Sequence, residues 1–134
     1  MPADLTPDEN ALLIAGLGAV GGTVSPGAAR GARRAAGRMR ADIFATTVAL
    51  PGPMPAATEL VMRVLDALGT RTAELQAMIG AGALSLNPAV VSVTLSEDAG
   101  TVTATVRGVA KEGLIRQRAG EKAARRVADH LAAG

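Results

Sequence analysis

Residues Val91, Val93 and Leu95 alternate with Ser92 and Thr94, and Val102, Ala104 and Val106 alternate with Thr103, Thr105 and Arg107. Successive side chains of a strand point to opposite faces, so each run predicts a strand with one apolar side. Glu97-Asp98-Ala99-Gly100 lies between them as a turn, and the whole reads as a β-hairpin. Gly108 is expected to mark a bulge or the end of the second strand, and Lys111-Glu112-Gly113 to turn the chain. The apolar period then changes. Ala119, Ala123, Ala124, Val127 and Leu131 fall on one side of a helix running from about Gln117 to Ala132. Glu121, Arg125 and Asp129 form favourable pairs four residues apart.

Upstream, Leu60, Val61, Val64, Leu65 and Leu68 define an amphipathic helix from Pro55 to Leu68, stopped by Gly69. Ile43 to Leu50 is rich in β-formers and is closed by Pro51-Gly52-Pro53. Thr6-Pro7-Asp8-Glu9 has the chemistry of a helix start, with Thr6 as cap and Glu9 completing a capping box. Leu12, Leu13, Leu17 and Val20 follow at helical spacing, and Gly21-Gly22 ends the segment. Ser25-Pro26 opens a second, Ala- and Arg-rich helix over 26–40. Ala73 to Ile79 reads as a short helix, interrupted by Gly80-Ala81-Gly82, and Leu84 to Leu86 as a brief strand.

The expected order is therefore α-α-β-α-β-β-α. It predicts an α+β fold: a small antiparallel sheet of about three strands, helices packed on one face, and an N-terminal helical hairpin ahead of it. Residues 1–41 are expected to form the helical arm and 42–134 the α+β domain, the two together making one compact unit.

Composition changes this picture in two ways. Among 134 residues there is one aromatic, Phe44, and there are 16 glycines. An aromatic side chain buries roughly 150–250 Å², so the core must be thin and its backbones close. A thin core gains from burial between subunits, and a homo-oligomer is expected. The net charge is only +2, but the positive residues are clustered. Arg30, Arg33, Arg34, Arg38 and Arg40 form one block; Arg107, Lys111, Arg116, Arg118, Lys122, Arg125 and Arg126 form another.

Several chemistries are excluded or disfavoured. The absence of Cys removes disulfides, thiolate metal sites and cysteine nucleophiles. His130 is the sole histidine, and Glu97-Asp98 lacks the spacing of a calcium loop. No serine sits in a nucleophile elbow. No catalytic residue and no cofactor is assigned, and the expectation is a protein that is not an enzyme. The acidic N-terminus does not resemble a secretory leader. The longest apolar run, Ala11 to Val24, is short of the roughly 20 residues that span a bilayer. A soluble, cytoplasmic protein is expected.

Gly16-Leu17-Gly18-Ala19-Val20-Gly21 has the spacing of a dinucleotide fingerprint. Its surroundings fit a glycine-rich helix packed against a neighbour instead. Helix-cap residues precede it where a strand is required, and Pro26 interrupts the helix that should follow.

The C-terminal basic block is the leading candidate for a site. Arg107 ends a strand, Lys111 lies in a loop, Arg116 and Arg118 flank the helix entry, and Lys122, Arg125 and Arg126 continue along the helix. Free N–H groups at a helix start, joined by guanidinium forks, bind anions. The alternative for such a run is a solvated helix face. The function expected is a non-catalytic binding or assembly module whose basic loop-and-helix surface meets an acidic protein or phosphate-bearing partner. A second reading is a carrier of an apolar small molecule between sheet and helix, with Met54, Met62 and Met78 lining an adaptable slot. A third is duplex DNA binding through the Arg-rich helix over 26–40.

Overall fold

The computed structural model describes residues 5–22, 40–81, 87–112 and 117–134. Their order is α1 (Pro7–Gly22), β1 (Arg40–Pro51), α2 (Met54–Leu68), β2 (Thr70–Ala73), β3 (Gln76–Ala81), β4 (Asn87–Asp98), β5 (Thr101–Glu112) and α3 (Ala119–Ala133). The five strands make one antiparallel sheet in the order β1-β5-β4-β3-β2.

The α+β class stands, but the arrangement within it differs from expectation in three respects. First, the sheet has five strands, not three. The segment read as a short helix from Ala73 to Ile79 is the end of β2, a turn at Glu74-Leu75, and most of β3. Its Ala, Glu, Leu, Gln and Met are good helix formers, but β3 pairs along β4 from Gln76↔Ser92 to Ala81↔Asn87. Burial of Ala77 and Ile79 in the core outweighs the weak local preference. Second, helices lie on both faces, as the packing below shows. Third, a single N-terminal helix, α1, is described where a helical hairpin was expected. Of the expected second helix only Arg40 is described, and it opens β1. The rest of that helix, and the strand expected at Leu84–Leu86, lie outside the described residues.

Strand alternation sorts the core into two layers. Val102, Ala104, Val106 and Ala110 of β5 share a face with Ala89, Val91 and Val93 of β4 and with Ala77 and Ile79 of β3. Against them pack Ala57, Val61, Val64 and Leu65 of α2 and Ala119, Ala123, Ala124, Val127 and Leu131 of α3. On the opposite face, Val90 and Val109 meet Leu13 of α1, flanked by Leu5, Leu12, Ile43 and Met78. Here β4 and β5 are apolar on both sides, and their sequences show it: Val90-Val91 and Val109-Ala110 break the alternation.

The β4–β5 hairpin is longer than expected, with pairing in register from Ala89↔Ala110 to Asp98↔Thr101. Its two-residue turn places Ala99 at φ 52° and Gly100 at φ 83°, the positive values of a type I′ turn. Strand β5 runs through Lys111 and Glu112 without turning, and through Gly108 without a bulge, where it pairs with Phe44 on one side and Val91 on the other.

Gly108 owes its place to α3. A Cβ on Gly108 would run into the Gly120 carbonyl oxygen and stand 2.8 Å from the Ala124 Cβ. A Cβ on Gly120 would stand 2.5 Å from the Asp42 carbonyl oxygen and 2.9 Å from that of Gly108. The α3 backbone therefore rests directly on β1 and β5, and a row of alanines completes the contact. This is the close-backbone core that the scarcity of aromatics implied.

The Gly108→Ala substitution must lift α3 from the sheet, because the obstructing atoms are backbone and cannot rotate away. It should cost about 2–4 kcal/mol, read as a fall of several degrees in the melting midpoint.

Candidate functional site

The α3 helix presents two contrasting sides. Its buried side is small and apolar: Ala119, Gly120, Ala123, Ala124, Val127, Ala128 and Leu131. Helical residues advance by about 100°, which places Lys122, Arg125, Arg126 and Asp129 within an arc of roughly 100° on the far side. All four are exposed, and so is Arg118 at the helix entry.

The start of α3 is closed by the protein's own carboxylates. Glu112 Oε1 accepts the N–H groups of Gln117 at 3.1 Å and Ala119 at 3.3 Å. Asp42 Oδ2 accepts the Glu121 N–H at 3.0 Å. Asn87 Nδ2 donates to Glu112 Oε2 and to the Lys111 carbonyl, both at 3.2 Å. Glu112 is buried. These acids come from β1 and β5, so they cap the helix and lock it to the sheet together. The residue at the N-cap itself, Arg118, sits at φ 53° and supplies no side-chain cap. The anion pocket expected at this helix start is thus occupied from within.

The seven basic candidates divide between the two sides of the sheet. Arg107 points away from α3, as the alternation with Val106 and Gly108 requires. Its Nε donates to Glu9 Oε2 at 3.0 Å and its Nη2 to Glu9 Oε1 at 3.2 Å. Lys111 is on the same side as Arg107 and is buried, 6% exposed. Arg116 lies outside the described residues. Arg118, Lys122, Arg125 and Arg126 remain together on α3. Arg125 Nε donates to Glu121 Oε2 at 2.8 Å, and its guanidinium carbon stands 4.6 Å from the centre of the Phe44 ring. That hydrogen bond holds the Glu121 carboxyl below its ordinary range.

The other sequence candidates are placed as follows. The Gly16–Gly21 fingerprint is within α1, with no described strand before it. His130 Nδ1 lies 2.9 Å from the Arg126 carbonyl in the last turn of α3. Met54 packs with the α2–α3 layer, whereas Met78 lies on the α1 face. Among the described residues no three His, Asp or Glu side chains are placed to hold a metal, and no helix is long and apolar enough to cross a membrane.

Sequence reasoning missed the Glu9–Arg107 pair, whose members are 98 residues apart. Glu9 is 3% exposed. It also closes the expected capping box: the Thr6 N–H donates to Glu9 Oε1 at 2.9 Å, and the Glu9 N–H donates to Thr6 Oγ1 at 3.1 Å. One carboxylate thus starts α1 and ties it to β5. The capping box marked Glu9 as a helix-start acid, and no signal in the sequence pointed to Arg107 as its partner.

Comparison with known proteins adds no assignment: no family, curated protein or solved structure matches this chain.

Burial by itself would raise the Glu9 carboxyl. The Arg107 hydrogen bonds and charge, with Thr6, outweigh that effect and hold it below 4.5. A group whose folded value is depressed stabilises the fold above its unfolded value, and that stability is lost as pH falls through the folded value. Acidification below about pH 4.5 should therefore loosen α1, seen as faster amide exchange in α1 ahead of the sheet. The Glu9→Gln variant should be less stable at neutral pH, with α1 exchange that changes less on acidification.

Proposed function

We propose that this protein is a non-catalytic binding module whose outer α3 ridge, formed by Arg118, Lys122, Arg125 and Arg126, meets an acidic partner protein. One observation carries the reading: these four cations are exposed on a helix whose opposite side is buried against the sheet. The ridge is consequently held on a rigid support, and little order has to be gained on binding.

Chemistry narrows the kind of contact. Arg118, Lys122 and Arg126 have exposed charges, and Arg125 has its guanidinium plane over Phe44 with one side engaged by Glu121. Guanidinium groups bind carboxylates in a bidentate manner, which suits an acidic protein surface. Asp129 at the far end of the ridge places the attractive potential in the first two turns of α3. Arg107 serves the fold through Glu9 and is not assigned to the surface, and neither is buried Lys111. The apolar-carrier reading gains no support at β5, where α3 touches the sheet backbone to backbone.

The test uses an immobilised polyglutamate peptide as the acidic probe. The Lys122→Glu/Arg126→Glu double variant should weaken capture at least about tenfold, and capture by the native protein should fall steeply with added salt. An Arg71→Glu control, at the far edge of the sheet, should leave capture unchanged. Equal capture by the native protein and the double variant would contradict the proposal.

A further inference from the structure

The two edges of the sheet are built differently. At one edge, β2 is four residues long, its pairing with β3 shifts register between Arg71 and Ala73, and every residue is exposed. Arg71 Nε is engaged by Asp66 Oδ1 at 2.6 Å. Short length, a register break and charge are the devices by which sheet edges avoid pairing with other chains.

At the other edge, β1 has none of these along its middle. It is twelve residues long and pairs with β5 residue for residue, from Arg40↔Glu112 to Pro51↔Thr101, with no shift. Its charged residues, Arg40 and Asp42, are confined to one end, and its proline is the last residue. From Ile43 to Leu50 it has no charge, and Ile43, Phe44 and Val48 are only half-buried. At about 3.3 Å per residue this is some 40 Å of strand. Its outward N–H and C=O groups meet no other strand among the described residues.

We propose that β1 is a self-association edge: two copies of the protein join antiparallel through β1, making one continuous sheet of twice five strands. A second copy fits because the edge is self-complementary. Antiparallel neighbours oppose residues of the same face, so the two-fold axis runs perpendicular to the sheet and passes through Ala45 or Thr46. In the first register Phe44 opposes Thr46 and Ile43 opposes Thr47. In the second Phe44 opposes Val48 and Ala45 opposes Thr47. Neither sets like charges against each other along β1. Overlap along the strand supplies roughly ten inter-chain hydrogen bonds, the number found in an ordinary protein interface. It also covers apolar surface that an aromatic-poor core leaves half-exposed. The same axis sets both α3 helices on one side of the joined sheet, so their like charges face each other at modest range. Salt should therefore leave the association unchanged or strengthen it.

The lack of cysteine in the chain permits a direct test. Single variants Ala45→Cys and Thr46→Cys place a thiol at each candidate axis, and a residue on the axis faces its own copy within disulfide reach. Under mild oxidation one of the two should form a covalent dimer in high yield, whereas Thr103→Cys, in β5 and so flanked by strands on both sides, should remain monomeric. Light scattering should give twice the 13.4 kDa chain mass for the native protein. The Thr47→Lys/Ala49→Lys variant, at two exposed positions on the face away from α2 and α3, should keep its circular dichroism and weaken the dimer at least about tenfold. A native protein that is monomeric at its highest soluble concentration, or thiol variants that cross-link no better than Thr103→Cys, would overturn the proposal. Because added salt does not weaken this association but does weaken polyglutamate capture, the two can fail separately.

Discussion

Gly120 of α3 rests on Gly108 of β5 with no side chain between them, and most of the architecture follows from that contact. A chain with a single aromatic cannot span a wide gap between helix and sheet. It brings the backbones together and fills the remainder with Ala123, Ala124 and Val127. Close approach makes dispersion contacts numerous although each residue is small. It also makes the contact intolerant, since a single methyl group at either glycine meets backbone atoms.

The same contact organises the electrostatics. With α3 laid so near β1 and β5, Asp42 and Glu112 reach its unpaired N–H groups and satisfy them internally. The positive end of the helix is therefore spent on holding the fold. On the opposite sheet face Glu9 and Arg107 do comparable work for α1, the carboxylate serving a capping box and an ion pair at once. What remains for a partner is the outer ridge of α3, where Arg118, Lys122 and Arg126 are exposed and Arg125 is shared with Phe44 and Glu121. The proposed β1 edge and this ridge are separate surfaces, one made of backbone groups and one of charge.

Periodic patterns carried much of the fold in the sequence. The hairpin, α2 and α3 could each be read because one apolar face repeats over several turns or residue pairs. The β2–β3 hairpin could not, since Ala73, Glu74, Leu75, Gln76 and Met78 favour helix, and it is pairing along β4 that holds Gln76 and Met78 in a strand. The second helical layer was half visible: Val90-Val91 and Val109-Ala110 are the mark of strands covered on both faces, which alternation alone does not explain. The candidate site was legible as a cluster of charge but not as geometry. One residue's shift along a strand reverses its face, and that alternation sends Arg107 and Lys111 to the side opposite Lys122 and Arg126. Caps supplied by distant strands were beyond reach, because the local residue at the α3 N-cap is an arginine.

Native-state hydrogen exchange of α3 addresses the central claim most directly. If the glycine contact joins helix and sheet into one cooperative unit, the amides of Ala123, Ala124 and Val127 should exchange with the same free energy as those of Val106 and Ala110 in β5. Exchange of the α3 amides through a separate, lower-energy opening while β5 stays protected would contradict it.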